Sequence, residues 1–305
     1  MIYGLNMHQN NNSLYFLCIF MDMLIIGGPA SQLLAGRVSQ ILKQKLVFCE
    51  YKRFPDGELY TRIMDEINEN ENVVIIQSTV NDSDFVALLH LIDACDEVSR
   101  LDVVIPYMGY ARQDKQFKKG EAVSARAMAK AIKADHVYTI NIHSEAILDY
   151  FDAEAMSLDA TPVIGRYIRN MKLQKPLIVA PDEGAVALAH NASKDLHIDY
   201  DYLEKTRLSE DTVSIKPKNI EVKARDVIII DDIISTGGTM AEAISLLREQ
   251  GANEIFAACV HPVFSGNAVL KLLKAGVEGI IATDTIDKGV SVVSVASVIS
   301  EALRK

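Results

Sequence analysis

The sequence predicts an α/β protein of two tandem domains with mostly parallel sheets, and three observations carry the prediction. From Met23 onward, short apolar runs rich in Val and Ile alternate with amphipathic stretches at helical spacing, the pattern of buried parallel strands joined by helices. The chain has 305 residues, beyond the roughly 100 to 200 usual for one domain. Two segments, 72–112 and 226–266, share a layout of strand, polar loop, helix and strand. That layout suggests an internal duplication of one α/β unit, although any two βαβ units share it at this level of detail.

In chain order, residues 1–22 read as an appendage. The apolar stretch 14–21 is far shorter than the ~20 residues that span a bilayer, has no basic residue before it and no small-residue cleavage site after it. Met23-Leu-Ile-Ile-Gly-Gly reads as a first core strand entering a glycine turn, and as an alternative start of the chain. Further strands are expected at 73–77, 102–106, 137–142, 177–180, 227–230 and 255–260. Between them Phe85, Leu88, Leu89 and Ile92 recur at helical spacing, as do Met240, Ala243, Ile244 and Leu247, with Gly251 where a C-terminal cap belongs. Pro162 favours an extended residue before it and a helix start after it, so the seam between the halves is expected there. The resulting division is an extension 1–22, domains 23–161 and 162–285, and a segment 286–305 expected to return to the first domain.

Composition narrows the function. With 49% hydrophobic residues and no low-complexity stretch, the chain is globular. Its formal net charge of −10 argues against nucleic acid or anionic membrane as a partner, because both require basic faces, so any phosphate must be held by a local site. Cys18, Cys49, Cys95 and Cys259 are scattered without metal or disulfide spacing, which fits reduced thiols in a cytoplasmic protein.

The most informative string is V-I-I-I-D-D-I-I-S-T-G-G-T, from Val227 to Thr239. An apolar strand runs into two acids, Asp231 and Asp232, and then into a loop of Ser235, Thr236, Gly237, Gly238 and Thr239 that opens a helix. Amides at a helix start and glycines that admit close backbone approach make an anion cradle, and the acids suit vicinal hydroxyls or Mg²⁺. No Gly-x-x-x-x-Gly-Lys-Ser/Thr is present, so a nucleotide is not held by a P-loop of the usual kind.

This string resembles the phosphoribosyl-pyrophosphate loop of the phosphoribosyltransferase fold, which implies two tandem domains of that type. The fold is shared by transferases that consume phosphoribosyl pyrophosphate and by the ribose-phosphate pyrophosphokinases that make it, so it does not choose between them. Other segments do. Arg53-Phe-Pro-Asp-Gly-Glu58 resembles the pyrophosphokinase ATP loop and implies ATP binding by Phe54, Asp56, Gly57 and Glu58; read alone, it is a turn with one buried aromatic. Pro106 to Asp114 resembles the second nucleotide segment and implies that Arg112 and Gln113 meet ATP, while Lys115, Lys118 and Lys119 read as a solvated face. Asn141-Ile-His143 is similar to an Asp-Leu-His segment whose His is a magnesium ligand, and Pro181-Asp-Glu-Gly-Ala185 to the pyrophosphate loop. His143 and Asp182 are thereby implied as ligands of Mg²⁺. Asn stands at 141 where the resemblance has Asp, and Asn141→Asp is expected to be tolerated. Glu204-Lys-Thr-Arg207 is similar to the start of a flexible catalytic loop, implying Lys205 and Arg207 as catalytic cations and a mobile stretch at 208–211. Arg207, Asp231, Asp232 and the loop Ser235 to Thr239 would bind ribose 5-phosphate. A homo-oligomer is implied as well.

Overall fold

The structure, a computed structural model, describes residues 22–194, 196–207, 213–216 and 220–305; the side chains of 205–207 and 213–216 lie outside it, as do the extension before Asp22 and the stretch 208–211. The first half contains β1 (Met23–Gly27), α1 (Gln32–Leu42), β2 (Lys45–Val47), β3 (Cys49–Arg53), β4 (Leu59–Ile63), β5 (Asn72–Ile76), α2 (Asp82–Asp93), β6 (Arg100–Ile105), α3 (Ser124–Ala131), β7 (His136–Ile140) and β8 (Glu154–Leu158). The second contains α4 (Thr161–Arg169), β9 (Leu177–Ala180), α5 (Val186–Lys194), β10 (Asp199–Tyr202), β11 (Glu204–Arg207), β12 (Val213–Lys216), β13 (Val227–Ile233), α6 (Gly238–Glu249), β14 (Ile255–His261), α7 (Ala268–Ala275), β15 (Gly279–Thr283), β16 (Ser291–Val293) and α8 (Ala296–Ala302).

Each half builds a six-stranded sheet, β2-β1-β5-β6-β7-β8 and β10-β9-β13-β14-β15-β16, parallel throughout. The strand order is the same in both, and each half inserts one antiparallel ribbon, β3-β4 or β11-β12, before its third strand. The paired segments seen in the sequence are β5-α2-β6 and β13-α6-β14.

Strand alternation explains the layers. Ile25, Val74 and Val104 of the first sheet share one core with Ile228, Ile230 and Ala258 of the second, through Val38 of α1, Ile164 of α4, Ala189 of α5 and Ile299 of α8. Their strand neighbours Leu24, Ile26, Val73 and Val103 face outward onto Leu88 and Leu91 of α2, and Val227 and Ile229 face Ile244 and Leu247 of α6. Side chains of period two are thus buried on both faces, which is why these strands read as continuous apolar runs. The chain end returns to the first half, where α8 packs on α1 and Arg304 donates to the Ile41 carbonyl at 3.1 Å.

All seven expected strands form, with two informative differences at their ends. β7 stops at Ile140, two residues early, because Asn141 turns to φ 36°. β13 continues to Ile233, with Asp231 paired to Cys259 and Ile233 to His261 of β14, so the two acids belong to the strand and not to the loop.

Candidate active site

Parallel sheets gather their strand-to-helix loops at the carboxyl ends of the strands, and there a cavity of about 660 Å³ opens against both halves. Asn141 and His143 enter it from the end of β7, Asp231 and Asp232 from β13, Asp182 and Gly184 from the loop after β9, and Arg112 from the loop after β6. The sequence expectations for Arg112, His143, Asp182, Asp231 and Asp232 therefore converge on one wall.

The halves meet in this cavity through a hydrogen bond of 2.7 Å, in which His143 Nδ1 donates to Asp232 Oδ2. That bond raises the His143 pKa above the ordinary imidazole value. Burial works against ionisation of Asp232, but the His143 hydrogen bond, together with the charges of His143 and His261, outweighs it and holds the carboxyl below the usual range. Asp231 goes the other way. Burial, the charge of Asp232 and then that of Asp182 push its pKa well up. A cation in the cavity relieves such crowding of carboxylates.

Among the described residues no three His, Cys, Asp or Glu side chains close into a metal-binding group. The wall supplies an open donor set instead: Asp182, Asp231, Asp232 and, with Nδ1 engaged, Nε2 of His143. Such a set fits Mg²⁺, which keeps waters and shares its ligands with substrate phosphates. A metal-binding His whose second nitrogen is held by a carboxylate is also the usual arrangement.

The loop that the sequence offers as a phosphate cradle opens α6. Ser235 and Thr236 lie in the loop after β13, Gly237 caps α6 with φ 73°, and no side chain caps the helix start, which leaves the amides around Gly238 and Thr239 to a ligand. Gly237 is required there, because a Cβ would also meet the Ala268 carbonyl at 3.2 Å. The loop is held by Ser235 Oγ against Ser265 Oγ at 3.1 Å and by Lys271 Nζ donating to the Thr236 carbonyl at 3.2 Å.

The cradle loop Ser235 to Thr239, the turn Phe54 to Glu58 and Gln113 do not line the cavity. Phe54, Asp56, Gly57 and Glu58 form the tip of the β3-β4 ribbon, closed by Phe54 N–H to the Glu58 carbonyl and Gly57 N–H to the Phe54 carbonyl, both at 2.9 Å. Phe54 is 46% exposed, so the turn is there but its aromatic ring is not buried. Gln113 is engaged by its own loop, donating to Glu121 at 3.3 Å. Lys205 and Arg207 stand on β11, opposite Ile215 and Val213 of β12, and their side chains lie outside the described residues.

Sequence reasoning missed Asp159, Asn191 and His261, which surround Asn141. Asp159 precedes Thr161-Pro162 and accepts from Thr161 N–H at 2.9 Å, so its position at a helix entry was the available signal.

Residues 23–135 match the model of the N-terminal domain of ribose phosphate pyrophosphokinase, and 147–296 match the phosphoribosyl transferase domain. The ribose-phosphate pyrophosphokinase of Methanosarcina acetivorans is 58% identical over 93% of this chain and all of its own length. Ribose-phosphate pyrophosphokinase 2 of Archaeoglobus fulgidus is 44% identical over 92% of this chain and 99% of its own. The crystal structure of phosphoribosylpyrophosphate synthetase from Mycobacterium smegmatis superposes with a TM-score of 0.79 at 26% identity, covering 93% of this chain and 98% of that one.

Proposed function

The chain belongs to the ribose-phosphate pyrophosphokinase family, and from that premise we propose how its cavity works. The enzyme moves the β,γ-pyrophosphate of ATP to the 1-hydroxyl of ribose 5-phosphate, giving phosphoribosyl pyrophosphate and AMP. The observation that carries the site assignment is the convergence of His143, Asp182, Asp231 and Asp232 on one cavity beside the α6 cradle.

The 1-hydroxyl oxygen attacks the β-phosphorus, the bond from that phosphorus to the α,β-bridging oxygen breaks, and AMP departs with the electron pair while the hydroxyl proton passes to solvent. Little covalent work falls to the protein, so catalysis rests on alignment and on neutralising charge. The loop Ser235 to Thr239 grips the 5′-phosphate, and Asp231, with Asp232, orients the ribose hydroxyls. His143 and Asp182 would hold Mg²⁺, which when bound screens the polyphosphate charge. Arg112 and Gln113 meet the nucleotide. Lys205 and Arg207, the latter also a ribose 5-phosphate ligand, supply positive charge to the transferring group and exclude water. The ribbon tip Phe54 to Glu58 flanks ATP. Its exposure and distance from the cavity wall support a homo-oligomer in which a second copy completes the nucleotide site.

Among the described residues no helix is long and apolar enough to cross a membrane. Scattered cysteines and a net charge of −10 support a cytoplasmic enzyme without a nucleic-acid partner. Incubation with ATP, ribose 5-phosphate and Mg²⁺ tests the reading. AMP release that depends on ribose 5-phosphate supports it, whereas release only on addition of phosphoribosyl pyrophosphate and a base, or none at all, points to a consuming transferase or a silent subunit.

A further inference from the structure

Asn141 sits two residues before His143, at the point where β7 leaves the first sheet, in a positive-φ conformation that Asn tolerates better than most side chains. All of its polar groups are used. Its N–H donates to the Leu158 carbonyl at 2.9 Å, its carbonyl faces His261 Nε2 at 3.4 Å, its Oδ1 accepts from Ala160 N–H at 2.8 Å, and its Nδ2 donates to Asp159 Oδ1 at 3.0 Å. Asp159 in turn accepts from Thr161 N–H at 2.9 Å and from Asn191 Nδ2 of α5 at 3.0 Å.

We propose that Asn141 is a positioning residue, whose amide bridges Ala160 and Asp159 to fix the turn that aims His143 at Asp232, and that Asp159 is the reason an amide and not a carboxylate stands there. Three contacts cross between the halves within this small region: His143 with Asp232, Asp159 with Asn191, and Asn141 with His261. The turn at Asn141 therefore sets where the first half presents its imidazole to the acids of the second.

An Asp at this position keeps an acceptor for Ala160 N–H but brings its other oxygen against Asp159 Oδ1, where a donated hydrogen bond now stands. Two carboxylates at hydrogen-bonding distance repel, and a donor is lost at the same time. Asn141→Asp, harmless by resemblance to the family segment, is for this reason damaging in this chain. Exchanging the acid as well, Asn141→Asp with Asp159→Asn, restores one donor and one acceptor across the gap but takes the acceptor from Thr161 N–H, because Asp159 Oδ1 serves both Asn141 Nδ2 and Thr161 N–H.

The inference rests on His143 belonging to the active site, so His143→Ala is the control. Four proteins are compared with wild type: Asn141→Asp, Asn141→Gly, the Asn141→Asp/Asp159→Asn double variant and His143→Ala. The readouts are the imidazole ¹H–¹⁵N signals of the metal-free protein and the Mg²⁺ dependence of turnover. Asn141→Asp is expected to displace the His143 Nδ1–H signal and to weaken activity or Mg²⁺ half-saturation by on the order of 10- to 100-fold, as loss of an orienting partner does. The double variant recovers part of both effects, the remainder reflecting the acceptor lost to Thr161 N–H. Asn141→Gly keeps the backbone conformation without the bridge and loses in the same direction; should Asn141→Asp not fold, this variant decides. Wild-type ring signals and kinetics in Asn141→Gly or Asn141→Asp, beside an inactive His143→Ala, overturn the positioning role. An active His143→Ala instead strikes the reading of His143 itself.

Discussion

At the scale of single residues, the loop cation and the phosphate cradle have different kinetic signatures. On the proposed assignment Lys205 stabilises charge that develops during transfer, so Lys205→Ala is expected to lower kcat and kcat/KM together, by on the order of 10² or more, with little change in KM for ribose 5-phosphate. Thr239→Val, in the cradle at the start of α6, mainly raises that KM. Steady-state kinetics on the two variants checks the split, and a Lys205→Ala enzyme of near-normal kcat removes Lys205 from catalysis. His261 makes a prediction about stability. Its ring lies against Tyr107 at 5.1 Å between centroids, and burial lowers its pKa from 6.5 to about 4. The unfolded chain therefore takes up this proton first, so the protein loses stability as pH falls from about 6.5 towards about 4, by roughly 3 kcal/mol from this group. Urea unfolding across that range should show a shallower acid slope for His261→Gln than for wild type.

At the scale of elements, the close approach of α4 and α5 is set by Gly165, where a Cβ would stand 2.6 Å from the Ala192 carbonyl oxygen. Gly165→Ala should force the helices apart at a cost of about 1–3 kcal/mol, read as a lower urea midpoint at unchanged m. The strands legible in the sequence are mainly those with a neighbour on both sides and a core on both faces. Those that were not legible include the four sheet edges, β2, β8, β10 and β16. An edge strand such as Asp-Tyr-Asp-Tyr in β10 is half covered and carries no apolar run to recognise. β15 is interior, but it opens on Gly279 and its apolar run is only Ile280-Ile281-Ala282, too short to recognise. Among the residues that line the cavity, Asp231, Asp232, Asp182 and His143 could be picked out in the sequence because each lies in a compact local motif. Asp159, Asn191 and His261 could not, since their meaning arises from contacts between halves that no spacing reveals.

At the scale of the whole molecule, one core runs from Ile25 of the first sheet to Ile230 of the second through α1, α4, α5 and α8. Neither half can open without exposing that core, so urea unfolding is expected as one transition by both circular dichroism and tyrosine fluorescence; two separated transitions would contradict a shared core. The same arrangement brings the carboxyl ends of both sheets onto one cavity, where a pyrophosphate is transferred as a unit on the proposed reading. The most direct measurement is ³¹P NMR of the protein with ATP, ribose 5-phosphate and Mg²⁺. AMP is expected in equal amount with a ribose 5-phosphate carrying a diphosphate at its 1-oxygen; formation of ADP with a singly phosphorylated 1-oxygen, or no turnover at all, rules out transfer of the pyrophosphate as a unit.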